Sequence, residues 1–541
     1  MSYLTWQYYL LIIITAVIYY ILPLSVRWVS LLAGSVCFYT LFSGNRAQLI
    51  VFLLTILFSY GLARLLEARR IKQEAADAIG KSKNRSGRLL LAASVILCAA
   101  PLLIVKVFSF AKGFTGRTFS ELIVPIGISF YTIQIIAYLA DVHAGKTAAE
   151  KNPLRYTLFV SFFPQIVQGP IPRFAQLQPQ LRTGHRLDFE NIKIGFYRIL
   201  WGSFLKYMIA DKAAVYVNEI FDNYRIYSGT FILTAAVLYS LQLYTDFLAC
   251  VMISRGSARL FGIELPENFM QPYLAVSIRD FWRRWHMTLS SFLRDYVYIP
   301  LGGSRKGRLR RQINLLLTFL VSGFWHGDGL HFIAWGLLNG VYQMIGGWTA
   351  PLRAFLYRTL GIGEESLAWR LYKRVNTFAL VTLAWMLFRC PTIRQALIMF
   401  RNMVTVWNPW VLFDGSIEKC GSMNLKQWHI LQISLALLAV FSLLQEKYRA
   451  SVRDPRKLSH EGNTQRTEFR NIPDANVRSH VTPDASAHAP AGEIGTDVFE
   501  AFSRQHVTLR FLVCLGMVLF IMLFGTYGYG FSAGSFIYGG F

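Results

Sequence analysis

Long apolar segments separated by short polar ones dominate the 541-residue chain. The first four lie near 5–24, 28–43, 47–65 and 89–110. A helix needs about 20 apolar residues to cross the hydrocarbon core of a bilayer. Further apolar segments lie near 122–142, 154–171, 193–215 and 228–252, and Pro125, Gly127, Pro164, Gly169 and Pro170 interrupt this run. Irregular backbone at membrane depth survives only where it is buried in protein or lines a cavity. The run therefore predicts re-entrant or kinked elements around a central site, or else ordinary kinked helices. Long apolar spans return at 313–348, 374–391, 429–445 and 508–526. The predicted fold class is an all-α polytopic membrane protein with about 10–12 transmembrane or re-entrant helices.

The polar stretches orient this pattern. The first is strongly basic, from Arg64 through Arg69, Arg70, Lys72, Lys81, Lys83 and Arg85 to Arg88. The positive-inside rule places it in the cytoplasm, which puts the N-terminus outside. Residues 253–312 are also basic, yet rich in Trp, Phe, Tyr and Leu. That mixture suits helices lying at the membrane interface or dipping into the protein. Glu446 to Arg504 has mixed charge and little apolar periodicity, which predicts a mostly disordered cytoplasmic insertion. The expected organisation is a membrane core over 1–445, an insertion over 446–507, and a C-terminal helix and tail over 508–541. No repeat of solenoid length is visible.

Composition agrees with a membrane protein. The chain is 54% hydrophobic and only 16% charged, with a mean hydropathy of +0.37. Soluble domains run near about a quarter charged. The net charge of +25 would suggest nucleic acid in a soluble protein. Here basic cytoplasmic loops account for it, so membrane lipid and no nucleic acid is expected. A basic cytoplasmic face is also compatible with a phosphorylated donor. None of the six cysteines form a CxxC pair, so neither a metal site nor a disulfide framework is expected. The apolar start, Trp6 to Leu24, lacks a basic leader region and reads as a first transmembrane helix.

Two motifs carry candidate chemistry. The first runs from Arg279 through Asp280-Phe281-Trp282-Arg283-Arg284-Trp285-His286, then on through Arg294 and Asp295 to Gly303. On a continuous helix Trp282, Trp285 and His286 would share one face. Arg283 and Arg284 could anchor that helix at the interface or meet donor phosphates. The second is Ser322-Gly323-Phe324-Trp325-His326-Gly327, inside an apolar span. An ionisable residue at membrane depth is a functional candidate by default, although a structural histidine is the alternative. A neutral imidazole can take a proton from an acceptor hydroxyl as its oxygen attacks a thioester carbonyl. Gly323 and Gly327 would leave room for a substrate. There is no HExxH, GxSxG or Walker A sequence, so zincin, serine hydrolase and P-loop chemistry fit worse.

At these residues the chain resembles the membrane-bound O-acyltransferase family, above all its bacterial branch of alginate O-acetyltransferases and teichoic acid D-alanyl transferases. Supporting pieces run from Val124 to Thr132, Ser161 to Pro170, Tyr244 to Phe247, Phe281 to His286, Tyr298 to Gly303 and Ser322 to Gly327, with Trp335-Gly336 after them. The resemblance implies tilted helices around a central tunnel. A thioester donor, acetyl-CoA or acyl-carrier phosphopantetheine, would enter from the cytoplasm as substrate rather than as a bound cofactor. The acceptor, an extracytoplasmic polysaccharide or a partner acetyltransferase, would come from outside. It also implies that His326 is the family's near-invariant histidine and His286 its second. Trp285, Trp325, Arg294, Asp295 and Asp246 are candidate substrate-binding residues. Three departures stand out. Asp246-Phe247 continue with Leu248-Ala249-Cys250-Val251-Met252, without the branch's second carboxylate. Asn339-Gly340 replaces a common His-Gly pair. The chain ends in Phe536-Ile537-Tyr538-Gly539-Gly540-Phe541.

The expected function is O-acyl transfer, most directly acetyl transfer to an exported cell-surface polysaccharide at a bacterial cytoplasmic membrane. D-alanyl transfer from a carrier protein to teichoic acid is the nearest alternative. A transporter or flippase with broken helices and a purely structural assembly subunit are the others.

Overall fold

The computed structural model describes residues 5–77, 85–115, 124–361, 363, 366–420, 423–452 and 497–525. Every regular element among them is helical. Six helices among the described residues are long and apolar enough to cross a membrane: Leu24–Phe42, Arg46–Ala76, Ser86–Phe108, Thr230–Arg259, Leu425–Val452 and Val507–Phe524. The protein is an all-α, multi-pass membrane protein.

The four predicted N-terminal spans fold as helices α1 (Trp6–Ile21), α2 (Arg27–Phe42), α3 (Arg46–Asp77) and α4 (Arg85–Thr115), of which α1, at 16 residues, is shorter than the six crossing candidates. α3 runs well past its apolar stretch. Residues Ala63 to Ala76 are strong helix formers, and the pairs Arg64–Glu67 and Arg70–Glu74, both at 2.8 Å, lie three and four apart on its surface.

Irregular backbone does lie inside the protein. Between α5 (Ile128–His143) and α6 (Pro153–Ser161) on one side and α7 (Phe174–Arg182) on the other, residues 163–168 form turns. Phe162, Phe163 and Gln168 there are fully buried. Gly127 enters α5 with φ 71°. A side chain there would overlap the Ile166 carbonyl, so a glycine is what lets the turn close on α5.

α8 (Phe189–Phe204) leads through a π-helical turn, Leu205–Ala210, into α9 (Asp211–Asp222). Both pack on α10 (Thr230–Arg259), the most enclosed long helix, with 83% of its apolar window buried. Gly195 faces the Gly256 carbonyl and Gly202 the Ala249 carbonyl, so the α8 and α10 backbones approach closely.

After α10 come α11 (Ile278–Arg284), α12 (Met287–Leu293), a second π-helical turn Arg294–Tyr298, α13 (Gly307–His326) and α14 (Leu330–Trp348). Then follow α15 (Ala350–Thr359), α16 (Leu367–Arg389), α17 (Ile393–Thr405), α18 (Ser416–Lys419) and α19 (Leu425–Val452). Two helices close the described chain, Val498–Ser503 and Val507–Phe524.

Three expectations change. The apolar span 313–348 is a helical hairpin, because Gly327-Asp328-Gly329 ends α13 at His326 and restarts the chain at Leu330. The helix expected to carry Trp282, Trp285 and His286 on one face stops at Arg284. The expected insertion 446–507 is ordered at both ends. Glu446 to Val452 completes α19, because Arg449 pairs with both Glu267 oxygens at 2.7 Å. Asp497 caps the helix Val498–Ser503 and pairs at 2.8 Å with buried Arg198. The rest of that insertion, 453–496, lies outside the described residues, as does the tail 526–541.

Arg198 also holds Glu264 through two 3.0 Å bonds, and Arg255 and Arg259 reach Glu264 at 2.7 Å. Burial alone would raise the Glu264 carboxyl, but these three guanidinium groups hold it down at about 2. Arg255 and Arg259, two of the basic residues read as a cytoplasmic face, are thus turned inward on glutamates. The exposed remainder includes Arg305, Lys306, Arg308, Arg310 and Arg311.

Candidate active site

His286 sits at the break between two short helices. Ser277 caps α11 by accepting from the Asp280 amide at 3.1 Å, and the helix runs for 7 residues. Trp285 is then extended, and His286 takes φ 42°, ψ 56° as the N-cap of α12. A non-glycine residue in this left-handed region is uncommon, and strain of this kind persists where the surroundings over-determine it. The segment 268–270 supplies that constraint. Met270 donates its amide to the Arg284 carbonyl at 2.9 Å, and the Met287 amide donates to the Asn268 carbonyl at 3.0 Å. The Asn268 side chain accepts from both the amide and the hydroxyl of Thr288.

His326 is the last residue of α13. The glycines beside it serve packing rather than the substrate access expected of them. A side chain at Gly323 would overlap the Phe332 carbonyl, and one at Gly327 would overlap the Phe332 ring. Gly336 on α14 faces the Phe319 carbonyl in the same way. The hairpin is therefore tight, and His326 is fixed by the helix pair.

The break and the hairpin bring both histidines into one aromatic interior. His286 and His326 are 1% and 2% exposed. Trp325 lies between them, its ring 4.8 Å from His326 and 6.1 Å from His286. Its Nε1 donates to the Ser129 carbonyl at 3.2 Å, which anchors it to α5. The remaining walls of His326 include Trp335 at 5.1 Å and Phe388 at 5.4 Å. Phe247 meets His286 edge-on at 4.8 Å. Among the described residues neither ring nitrogen of His286 has a hydrogen-bond partner.

Trp285 packs in a layer alongside, stacked on Phe281 at 5.4 Å and touching Trp385 at 5.0 Å and Phe269 at 5.0 Å. Asn339 accepts from Trp282 Nε1 at 3.2 Å and so ties α11 to α14. Arg294 and Asp295 take other partners. Asp295 pairs with Arg173 at 3.1 Å and with Arg294 at 2.8 Å on the second π-helical turn, where Arg294 is half-exposed. Asp246 is bound by Lys206 at 2.7 Å inside the protein.

None of the three buried lysines among the described residues was singled out from sequence, and two of them bear on the site. Lys206 joins Asp246 to Asp211. Lys106, on α4, is 6% exposed and lies within electrostatic range of both His326 and Asp328. A charge inside an otherwise apolar segment is the signal that would have found both.

Fold and site together define a polytopic all-helical membrane protein with two buried histidines joined across a tryptophan. The sequence profile of the MBOAT, membrane-bound O-acyltransferase family, matches residues 1–362, and the chain belongs to that family. Over 311 residues it is 38% identical to a peptidoglycan O-acetyltransferase of Helicobacter pylori, covering 52% of this chain and 57% of the relative. Over 342 residues it is 34% identical to the "Probable alginate O-acetylase AlgI" of Pseudomonas fluorescens, covering 63% and 65%. A teichoic acid D-alanyltransferase of Bacillus subtilis is 29% identical over 281 residues, covering 48% and 68%. The chain thus spans less than two thirds of the length of the first two relatives.

Proposed function

We propose that the protein is an O-acyltransferase that moves an acetyl group from a cytoplasmic thioester to a hydroxyl of an exported cell-surface polysaccharide. Transfer is direct or through a partner acetyltransferase, and the membrane is the bacterial cytoplasmic membrane. The donor is acetyl-CoA or an acyl-carrier phosphopantetheine thioester. The observation that carries this reading is the pair His326 and His286, both buried and bridged by Trp325. Relatives named for acetylating peptidoglycan and alginate favour acetyl over D-alanyl.

His326 acts as the base. Its neutral ring takes the proton of the acceptor hydroxyl as that oxygen bonds to the thioester carbonyl carbon. The carbon–sulfur bond then breaks, and the leaving thiolate takes the proton back from the imidazolium. The aromatic walls exclude water, which protects the thioester from hydrolysis. The tight hairpin and the constrained break hold both rings in place, so proximity supplies much of the rate. Trp285 and Trp325 serve as walls of the substrate path, and half-exposed Arg294, held by Asp295, offers its charge to the donor on the basic face.

The test is transfer of labelled acetyl from acetyl-CoA, and separately from an acylated carrier protein, to isolated polysaccharide in proteoliposomes. His326→Ala is expected to lower the rate by roughly 10²–10⁴-fold while the protein stays folded. Undiminished transfer by that variant would sink the assignment. Transfer of D-alanyl but not acetyl would select the teichoic acid reading instead.

A further inference from the structure

The π-helical turn Leu205–Ala210 places two charges where an α-helix would not. The Asp211 amide donates to the Lys206 carbonyl, five residues back. Residues five apart diverge on an α-helix, but the wider π turn stacks them on one side. Lys206 therefore reaches Asp246 on α10 while holding Asp211. Lys206 Nζ lies 2.7 Å from Asp246 Oδ1 and 2.9 Å from Asp211 Oδ1. All three side chains are buried. Three charged groups inside a membrane protein are costly, and the best-attested return on such a cost is conformational specificity.

What this ion cluster specifies is legible one residue further on. Asp246 is followed by Phe247, whose ring meets the His286 ring at 4.8 Å and 89°. Phe269 backs Phe247 at 5.1 Å. His286 has no hydrogen-bonded orienting group among the described residues. Packing against Phe247 and Trp325 is therefore what sets its plane. A rotation of α10 would carry Phe247 with it and release that ring.

We infer that Lys206 is a positioning residue: by clamping Asp246 to the α8–α9 junction it fixes Phe247, and through Phe247 the orientation of His286. On this inference Asp246 serves the clamp rather than the acceptor. The inference rests on the acyl-transfer reading above for its effect on rate, but not for its effect on His286.

The experiment compares wild type with Lys206→Met/Asp246→Asn, which removes the Lys206–Asp246 pair at nearly constant volume and leaves Asp211 without its lysine. Phe247→Leu perturbs the next link and leaves every charge in place. Full-length protein carrying ¹³Cε1-labelled histidine is purified in detergent, and the His286 signal is identified by its loss in His286→Gln. Both variants are expected to shift the His286 signal. Both are expected to lower kcat by about 10²-fold with KM for donor and acceptor little changed. The triple variant should be scarcely slower than either, because the two changes break one chain of contacts. A merely structural cluster would lower the yield of folded protein and leave kcat and the His286 signal of the folded fraction alone, which overturns the inference. If the double variant does not fold, an unchanged signal and rate in Phe247→Leu overturns it on its own. The ring signal is read without turnover, so a wild type that transfers no acetyl overturns the functional reading while the spectrum still decides this one.

Discussion

His286 combines a left-handed backbone with nearly complete burial, and neither property is visible in its motif. The motif suggested a helical face shared with Trp282 and Trp285. The break comes from Asn268 and Met270, whose bonds to the segment are set by the folded chain rather than by neighbours in sequence. The identity of the two histidines was legible because each stands in a long matching motif. Their shared surroundings were not, because Phe247, Trp325, Trp335 and Phe388 come from four helices. Trp325→Phe keeps a ring between the histidines and deletes the bond to Ser129. Loss of one such bond is expected to cost about 1 kcal/mol of stability, read as a lower melting temperature in detergent. The acetyl-transfer rate of the same variant should fall by less than that of His326→Ala, since the proposed base is retained.

At the scale of elements, apolar periodicity located most helices, and it failed where an interruption was too short to register. Gly327-Asp328-Gly329 is three residues inside a long apolar run, yet it converts one expected span into the α13–α14 hairpin. The π-helical turns were equally invisible, because an extra residue in a helical turn leaves no mark in composition. The hairpin makes a sharp prediction. Gly323→Ala must push α13 from α14 and is expected to destabilise by roughly 1–3 kcal/mol, with His326 displaced and transfer impaired. Gly346→Ala, on the same helix pair but with nothing near its added carbon, should be neutral or stabilise by up to about 1 kcal/mol. Thermal melts and transfer rates of the two variants, measured together, check the contrast.

Across the whole molecule, the ion pairs around Glu264 and Glu267 join the two sides of the former insertion to the body. Glu264 is held at about 2, below the usual carboxylate value of about 4.3 in an unfolded chain. A group depressed on folding contributes stability above its unfolded value, and that stability is lost as pH falls toward the folded one. Acid destabilisation between roughly pH 4 and 2 is therefore expected in wild type, and Glu264→Gln should flatten that part of the profile while being less stable at neutral pH. Melting temperatures across that range provide the measurement. The same pairs bear on the last span. Val507–Phe524 has only 6% of its apolar window buried, whereas Asp497, Phe499 and Phe502 just before it are tied to Arg198, Phe441 and Tyr197. The carboxyl-terminal helix thus reaches the body through side chains that would recognise it even if the peptide chain between 452 and 497 were cut. One open reading frame or two adjacent ones could then encode the same protein, and co-expression of residues 1–452 with 497–541 is expected to recover a complex that purifies as one species.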